Sequence, residues 1–348
     1  MARLTYSTPG NKTIPKRLPK WVKPLEKQRS VAIIIVNWNQ KKLLANCLSS
    51  LKSKTAYSNY RVVVVDNGSL DGSVELVKSF PWADFIALDK NYGFSVGNNK
   101  GIVYALEKYK PDYVLLLNND IEIVQADWLS KMVSVEESED NVGIVGCKLI
   151  YPNGKTQCIG IKVTVNGFPW LDPSREGSLP DAFDVDAVLG ACFLIKKAVL
   201  DRIGFLDVGF SPFVHEELDF CVRAKKAGYR TCMVLSASVV HFWKMSVDKV
   251  NSAYVEFVVR KNTVRFMLLN FSTSWLLKRI VVEVRIFVGC FIARNKSKKA
   301  IVPIKLRTGR EMLYRLRLNF YAWRANLLSL REIIVKRGNR TAKLLVVE

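Results

Sequence analysis

Histidine is almost missing from this chain: among 348 residues only His215 and His241 carry an imidazole. A metal cage built from several histidines is thereby excluded. Cysteine occurs seven times, at positions 47, 147, 158, 192, 221, 232 and 290, without one Cys-x-x-Cys pair. That scatter fits neither a zinc knuckle nor a disulfide framework. It reads as reduced thiols filling core positions in a cytoplasmic protein. Long apolar runs are lacking too. The longest, 266–277, contains Asn270, Ser272, Thr273 and Ser274 and stops at Lys278, short of the ~18 residues that a spanning helix needs. Residues 1–30 are rich in Pro and Lys and hold no apolar run, so no secretory leader is expected there. No internal repeat and no Gly-rich loop ending in Gly-Lys-Ser/Thr is present.

What is abundant is positive charge, and its placement carries more than its size. The chain totals +22; residues 1–30 contribute +7, residues 260–348 contribute +17, and residues 31–259 sum to −2. An enzyme working on nucleic acid carries its basic stripe across the working domain. Here the centre is neutral and the flanks are basic, which fits an anionic membrane surface and argues against a nucleic-acid partner. Three segments are expected: a basic arm over 1–30, a catalytic domain over 31–250, and a basic amphipathic helical extension over 251–348.

Within the central segment the pattern alternates. Val31–Val36 is a continuous β-branched run, the mark of a strand buried on both faces. A helix over 41–54, a strand over 61–65, a helix near 72–79, a strand over 84–88, a helix over 95–108 capped by Ser95, and a strand over 113–117 follow. Alternation of this kind predicts an α/β fold with parallel strands, whose ligands bind at the strands' carboxyl ends. The polar residues at those ends are Asn37, Asp66 and Asp120. Beyond them, 142–150, 185–195 and 237–241 read as strands, 166–180 as a loop or flap, and 216–227 as a helix closed by Gly228. From Ser252 the chain reads as helical. Leu313, Leu316, Phe320, Trp323, Leu327, Leu330 and Ile334 form one apolar stripe with arginines beside it.

Four motifs carry chemistry. Asp66-Asn67-Gly68-Ser69 ends a strand, where a carboxylate accepts hydrogen bonds from a base or ribose; a turn with Asp71 capping the next helix is the plainer reading. Asn91-Tyr92-Gly93, running on to Asn98, is a polar Gly-rich approach to a helix N-terminus, which favours anions. Close helix–sheet packing accounts equally well for its glycines. Asn118-Asn119-Asp120 puts a carboxylate just past a buried strand, suited to a divalent cation on a diphosphate or to a plain helix cap. His215-Glu216-Glu217-Leu218-Asp219 sets three carboxylates within four positions. Arg223, four residues after Asp219, answers one of them. The other two call for a cation, a protonated partner or a catalytic task. His215 reads as structural.

In order and spacing these motifs resemble the family 2 glycosyltransferases of the GT-A fold over about residues 31–245, especially their rhamnosyltransferase-like and galactofuranosyltransferase-like members. The resemblance implies a nucleotide-diphospho-sugar transferase fold and inverting transfer of a sugar, rhamnose from a dTDP donor first and a UDP sugar next. The acceptor would be a glycan or lipid-linked saccharide at the cytoplasmic membrane face. It implies that Asp66, with Asn37, Asn67, Ser69, Asn91, Gly93 and Asn98, surrounds the donor. Asn118, Asn119 and Asp120 occupy the metal motif, with Asp120 and His241 holding Mg²⁺ or Mn²⁺. Glu217 would be the general base, beside Glu216 and the trailing acid Asp219. The chain departs from the family pattern at Asn118, where an aspartate is usual, and at Glu217, where many members have Asp. An inactive sugar-nucleotide-binding protein and a nucleotidyltransferase remain the competing readings.

Overall fold

The computed structural model describes residues 28–163, 168, 170–243, 251–274, 276 and 309–338. Most of the basic arm, part of the 166–180 flap, Cys290 and the basic stretch 278–308 lie outside these residues.

The first half of the domain is built from β1 (Val31–Asn37), α1 (Lys41–Lys54), β2 (Tyr60–Asp66), α2 (Ser73–Lys78), β3 (Ala83–Ala87), α3 (Phe94–Tyr109) and β4 (Tyr113–Leu117). The second half holds β5 (Ile121–Ile123), α4 (Trp128–Glu136), β6 (Val142–Ile150), β7 (Thr156–Cys158), β8 (Ala182–Asp184), β9 (Cys192–Lys196), α5 (Lys197–Ile203), α6 (Glu216–Lys226) and β10 (Arg230–His241). One sheet runs in the order β3-β2-β1-β4-β9-β6-β10-β5, with β7 on β6 and β8 on β10. β1 to β4 are mutually parallel, β9 is antiparallel to both neighbours, and β10 returns parallel to β6.

Burial follows the pattern of the residues. Ile33, Ile34 and Ile35 are all inaccessible, because helices cover both faces of β1. α3 approaches so closely that a Cβ on Gly101 would stand 2.4 Å from Ile34 Cγ2, and one on Gly97 2.9 Å from Val36 Cγ1. These two glycines serve close helix–sheet packing. Ser95 does not cap α3. The cap position is Gly93, at φ +87°, where an L side chain would be strained and its Cβ would meet the Pro212 carbonyl oxygen at 2.7 Å.

Two expected strands take a different form. Only the end of the 185–195 run is a strand: β8 has already ended at Asp184, and β9 begins at Cys192, after Gly190. The 237–241 strand is the end of a twelve-residue β10, whose register with β6 shifts between Val234 and Ser238. Such an irregularity breaks the alternation that sequence reading relies on.

The C-terminal helices are α7 (Ser252–Asn270), α8 (Gly309–Leu328) and α9 (Leu330–Gly338). The expected single helix over the apolar stripe is interrupted at Ser329, a residue type that competes with helical hydrogen bonds. α7 packs along α8 and α9. Asn262 donates to the carbonyls of Phe213 and Val214. Arg265 and Lys336 converge on the buried carboxylate of Asp207 at 3.2 and 2.6 Å, and both also reach Glu332. The face of α8–α9 turned inward carries Leu318, Ala322, Asn326 and Ile333. Of the stripe, Phe320, Leu327, Leu330 and Ile334 are exposed, with Phe320 at 65%. Among the described residues no helix is long and apolar enough to cross a membrane.

Candidate active site

A cavity of about 520 Å³ opens over the carboxyl ends of the parallel strands. β4 ends at Leu117 and delivers Asn118, Asn119 and Asp120 into it. His241 comes from far along the chain, yet it pairs in antiparallel register with Ile121. This pairing sets the imidazole beside Asp120, with Nε2 3.3 Å from the carboxylate Oδ1. Asp120 Oδ1 is buried and has no hydrogen-bond partner. A buried carboxylate oxygen left without a donor, next to an imidazole nitrogen, is a donor set suited to a divalent cation. Two protein ligands leave coordination positions for phosphate oxygens and water. Among the described residues no group of three or more His, Cys, Asp or Glu forms a self-sufficient metal site.

The opposite wall comes from the first turn of α6. Glu216 and Glu217 both line the cavity. Burial pushes Glu217 up to about 7. Glu216, buried and next to the charge of Glu217, is held well above the usual carboxylate range. His215 packs edge-on to Phe168, and its Nε2 lies 2.9 Å from Thr263 Oγ1. Burial lowers it to about 4, so it stays neutral as a structural group. Asp219 is turned away from the cavity: Arg223 Nε donates to it at 2.9 Å and Asn270 at 3.0 Å, fixing α6 to α7.

The residues expected around the donor divide into wall and support. Asn67, Asn91 and Gly93 line the cavity. Asn67 ties two loops together, accepting from the Tyr92 amide and donating to the Gly93 carbonyl. Behind them runs a buried chain of bonds: Asn119 donates to Asn37 at 2.7 Å, and Asn37 donates to Asp66 at 3.0 Å. Asp66 also accepts from the Ser69 amide at 2.7 Å. Asn37 and Asp66 are fully buried. They brace the end of β4 against the ends of β1 and β2 from behind the cavity wall. Asn98 donates to the Phe94 carbonyl within α3 and lies outside the lining.

Sequence reasoning overlooked the aromatic rim: Trp38, Phe213, Trp243 and Tyr254. Trp243 packs against Trp170 and Tyr151. Its position two residues past His241 was the one available signal. Gln157, whose Oε1 lies 2.8 Å from His241 Nδ1, had none, because only the β6–β7 pairing brings it there.

Comparison with known proteins agrees with this fold. The family model described as glycosyl transferase family 2 matches residues 32–204. The chain is 27% identical over 231 residues to protein y4gI of Sinorhizobium fredii, covering 63% of this chain and 25% of that one. It is 28% identical over 264 residues to the low-salt glycan biosynthesis hexosyltransferase Agl10 of Haloferax volcanii, covering 72% and 78%. It is 26% identical over 229 residues to the rhamnosyltransferase WbbL of Escherichia coli, covering 61% and 83%. The chain thus spans a quarter of the first of these relatives and about four fifths of the other two. In fold it is similar to the mannosyltransferase PcManGT of Pyrobaculum calidifontis, solved with GDP-Man and Mn²⁺, at a TM-score of 0.51 and 16% identity over 71% of this chain and 68% of that one. The strand order, the polar strand ends and the matched span have one common account: residues 32–204 form a glycosyl transferase family 2 domain, built on the fold that GT-A glycosyltransferases share.

Proposed function

We propose that this glycosyltransferase moves a hexosyl group, rhamnose in the first instance, from a dTDP- or UDP-sugar to a hydroxyl of a glycan or lipid-linked saccharide, with inversion at the anomeric carbon. The observation that carries the reading is the meeting of Asp120 and His241 with Glu217 in one cavity. The relatives Agl10 and WbbL, named as a hexosyltransferase and a rhamnosyltransferase, support the choice of sugar class.

Asp120 and His241 are the residues that would hold Mg²⁺ or Mn²⁺. Such a cation, when bound, neutralises charge developing on the departing diphosphate. The braced Asn37–Asp66 corner places the nucleoside end of the donor. Glu217 takes the proton from the acceptor hydroxyl while that oxygen bonds to the anomeric carbon. The bond from that carbon to the phosphate oxygen breaks on the far side, and its electron pair leaves with the nucleoside diphosphate. A base near 7 is half ionised at neutral pH, so it holds its charge without excessive weakness as a base. Glu216, held as the neutral acid, keeps a second negative charge from crowding it.

The exposed stripe of α8–α9 and the arginines beside it support a working position on the inner face of an anionic membrane. Incubation with a panel of sugar nucleotides, with Mn²⁺ and with chelator, tests the central reading. Metal-dependent release of nucleoside diphosphate from one donor supports it. Donor binding without turnover under every condition would indicate a binding protein instead.

A further inference from the structure

One buried side chain beside the cation corner has no task in the scheme above. Gln157 is 3% exposed, and its Oε1 lies 2.8 Å from His241 Nδ1. A side-chain carbonyl offers lone pairs and no proton, so this bond needs the proton on Nδ1. A neutral imidazole has a single N–H, which leaves Nε2 with its lone pair. Asn118 reports on that nitrogen from another direction. Its Nδ2, which can only donate, stands 3.5 Å from Nε2. Turning the Gln157 amide over would move the proton to Nε2 and set donor against donor at Asn118 unless that amide turned with it. Asp120 Oδ1, 3.3 Å from Nε2, accepts no hydrogen bond from it, as expected for a ring nitrogen without a proton.

We propose that Gln157 is a positioning residue: it holds His241 in the Nδ1–H tautomer and so presents the Nε2 lone pair, beside Asp120, to a divalent cation. The role rests on the reading of Asp120 and His241 as the cation's ligands. It also gives a reason for Asn118. An aspartate there would accept from the ring and favour the opposite tautomer, whereas the amide donates and leaves the lone pair in place.

The chain's two histidines make the test direct. Long-range ¹H–¹⁵N spectra of the full chain without metal report the tautomer of each ring, and His215→Asn assigns the signals. Mn²⁺ binding with UDP present is measured separately, by the loss of free-Mn²⁺ paramagnetic resonance. The expected result is Nδ1–H for His241 in the parent. Gln157→Leu, similar in volume, should shift that ring toward Nε2–H and weaken Mn²⁺ binding about 10- to 100-fold. Gln157→Glu retains an acceptor and should restore both. An Nε2–H ring in the parent, or a Gln157→Leu ring with unchanged tautomer, overturns the proposal. If no variant nor the parent binds Mn²⁺ while the tautomer still follows position 157, the positioning role stands and the cation reading falls.

Discussion

A glutamate that titrates near neutrality gives the site its pH signature. In the proposed role of general base Glu217 must be ionised to accept a proton, and burial places it at about 7. Turnover should therefore fall about tenfold per pH unit below that value and level off above it. Glu217→Gln should keep donor affinity and lose about 10²- to 10⁴-fold in rate. Glu216→Gln copies the neutral acid already present and should stay within severalfold of the parent; if it is the crippled variant, the two roles are reversed. Asp120→Ala should abolish the stimulation of turnover by Mn²⁺ while the folded circular-dichroism spectrum is retained. Far from the site, Glu136 is inaccessible, with Lys196 Nζ 3.3 Å away, and burial raises it to about 7. A carboxyl raised in the folded state contributes its stability fully below its unfolded value near 4.5, and that contribution is lost as pH rises through about 7. Glu136→Gln should therefore raise the melting temperature more at pH 8 than at pH 5, and an equal change at both would refute the assignment. The acids that face the cavity were legible because chemistry restricts them: Asp120 stands just past a buried strand and Glu217 in a crowd of carboxylates, whereas the aromatic rim carried no such mark. Gln157 was illegible because its neighbour in space is 84 residues away.

At the scale of elements, the parallel half of the sheet could be read from its short apolar runs and their alternation with helices, while β5, α4, α5 and β7 could not. Ile121–Ile123 and Thr156–Cys158 are three-residue strands, too short to show a period. Trp128–Glu136 owes its position to Trp128, which is fully buried and bonded to Thr55 at 3.1 Å, a contact across the domain. Helix placement is also where small changes should matter most. Gly101→Ala would place a Cβ 2.4 Å from Ile34 Cγ2 and 3.0 Å from Val65 Cγ2. The sheet would have to move or α3 to lift, at a cost of about 1–3 kcal/mol, measurable by denaturant unfolding. The clasp at Asp207 sets the C-terminal helices. Burial alone would raise this carboxyl, but Arg265 and Lys336 hold it far below the carboxylate range. Its contribution is thus present above the unfolded value near 3.8 and lost only in stronger acid. Asp207→Asn leaves Arg265 and Lys336 with the half-exposed Glu332 as their one shared carboxylate and should cost about 3 kcal/mol. The loss should appear first as faster proteolysis within α8 and α9, since these are the elements Lys336 secures.

For the molecule as a whole, the question is what covers the outward face of α8 and α9. Phe320, Leu327, Leu328, Ile334 and Val335 are all more than half exposed, Leu328 at 80%. Arg317, Arg324 and Arg331 are exposed on the same two helices, and among the described residues none has an acidic partner. A second copy of this face would bring arginines against arginines, whereas an anionic bilayer offers both an apolar interior and phosphates at its edge. Tyr254, in the first turn of α7, lines the cavity. Arg260, less than two turns further on, hydrogen-bonds Asn319 of α8, so the apolar face belongs to helices anchored close to the active-site rim. Each arginine near such a surface contributes about 1 kcal/mol, and raising the salt from 0.1 to 1 M shortens the screening length from about 10 to 3 Å. The full chain should therefore sediment with phosphatidylglycerol vesicles at low salt and be released at high salt. It should ignore phosphatidylcholine vesicles under both conditions. Exchanging Arg317, Arg324 and Arg331 for Glu should abolish the binding, and Phe320→Ser with Leu328→Ser should weaken it, without altering hydrolysis of the sugar nucleotide in solution. Retention of vesicle binding by the triple variant would move the anchor elsewhere in the basic flanks. Concentration-dependent dimers that vanish with Phe320→Ser and Leu328→Ser would make a second copy, and not the bilayer, the occupant of this face.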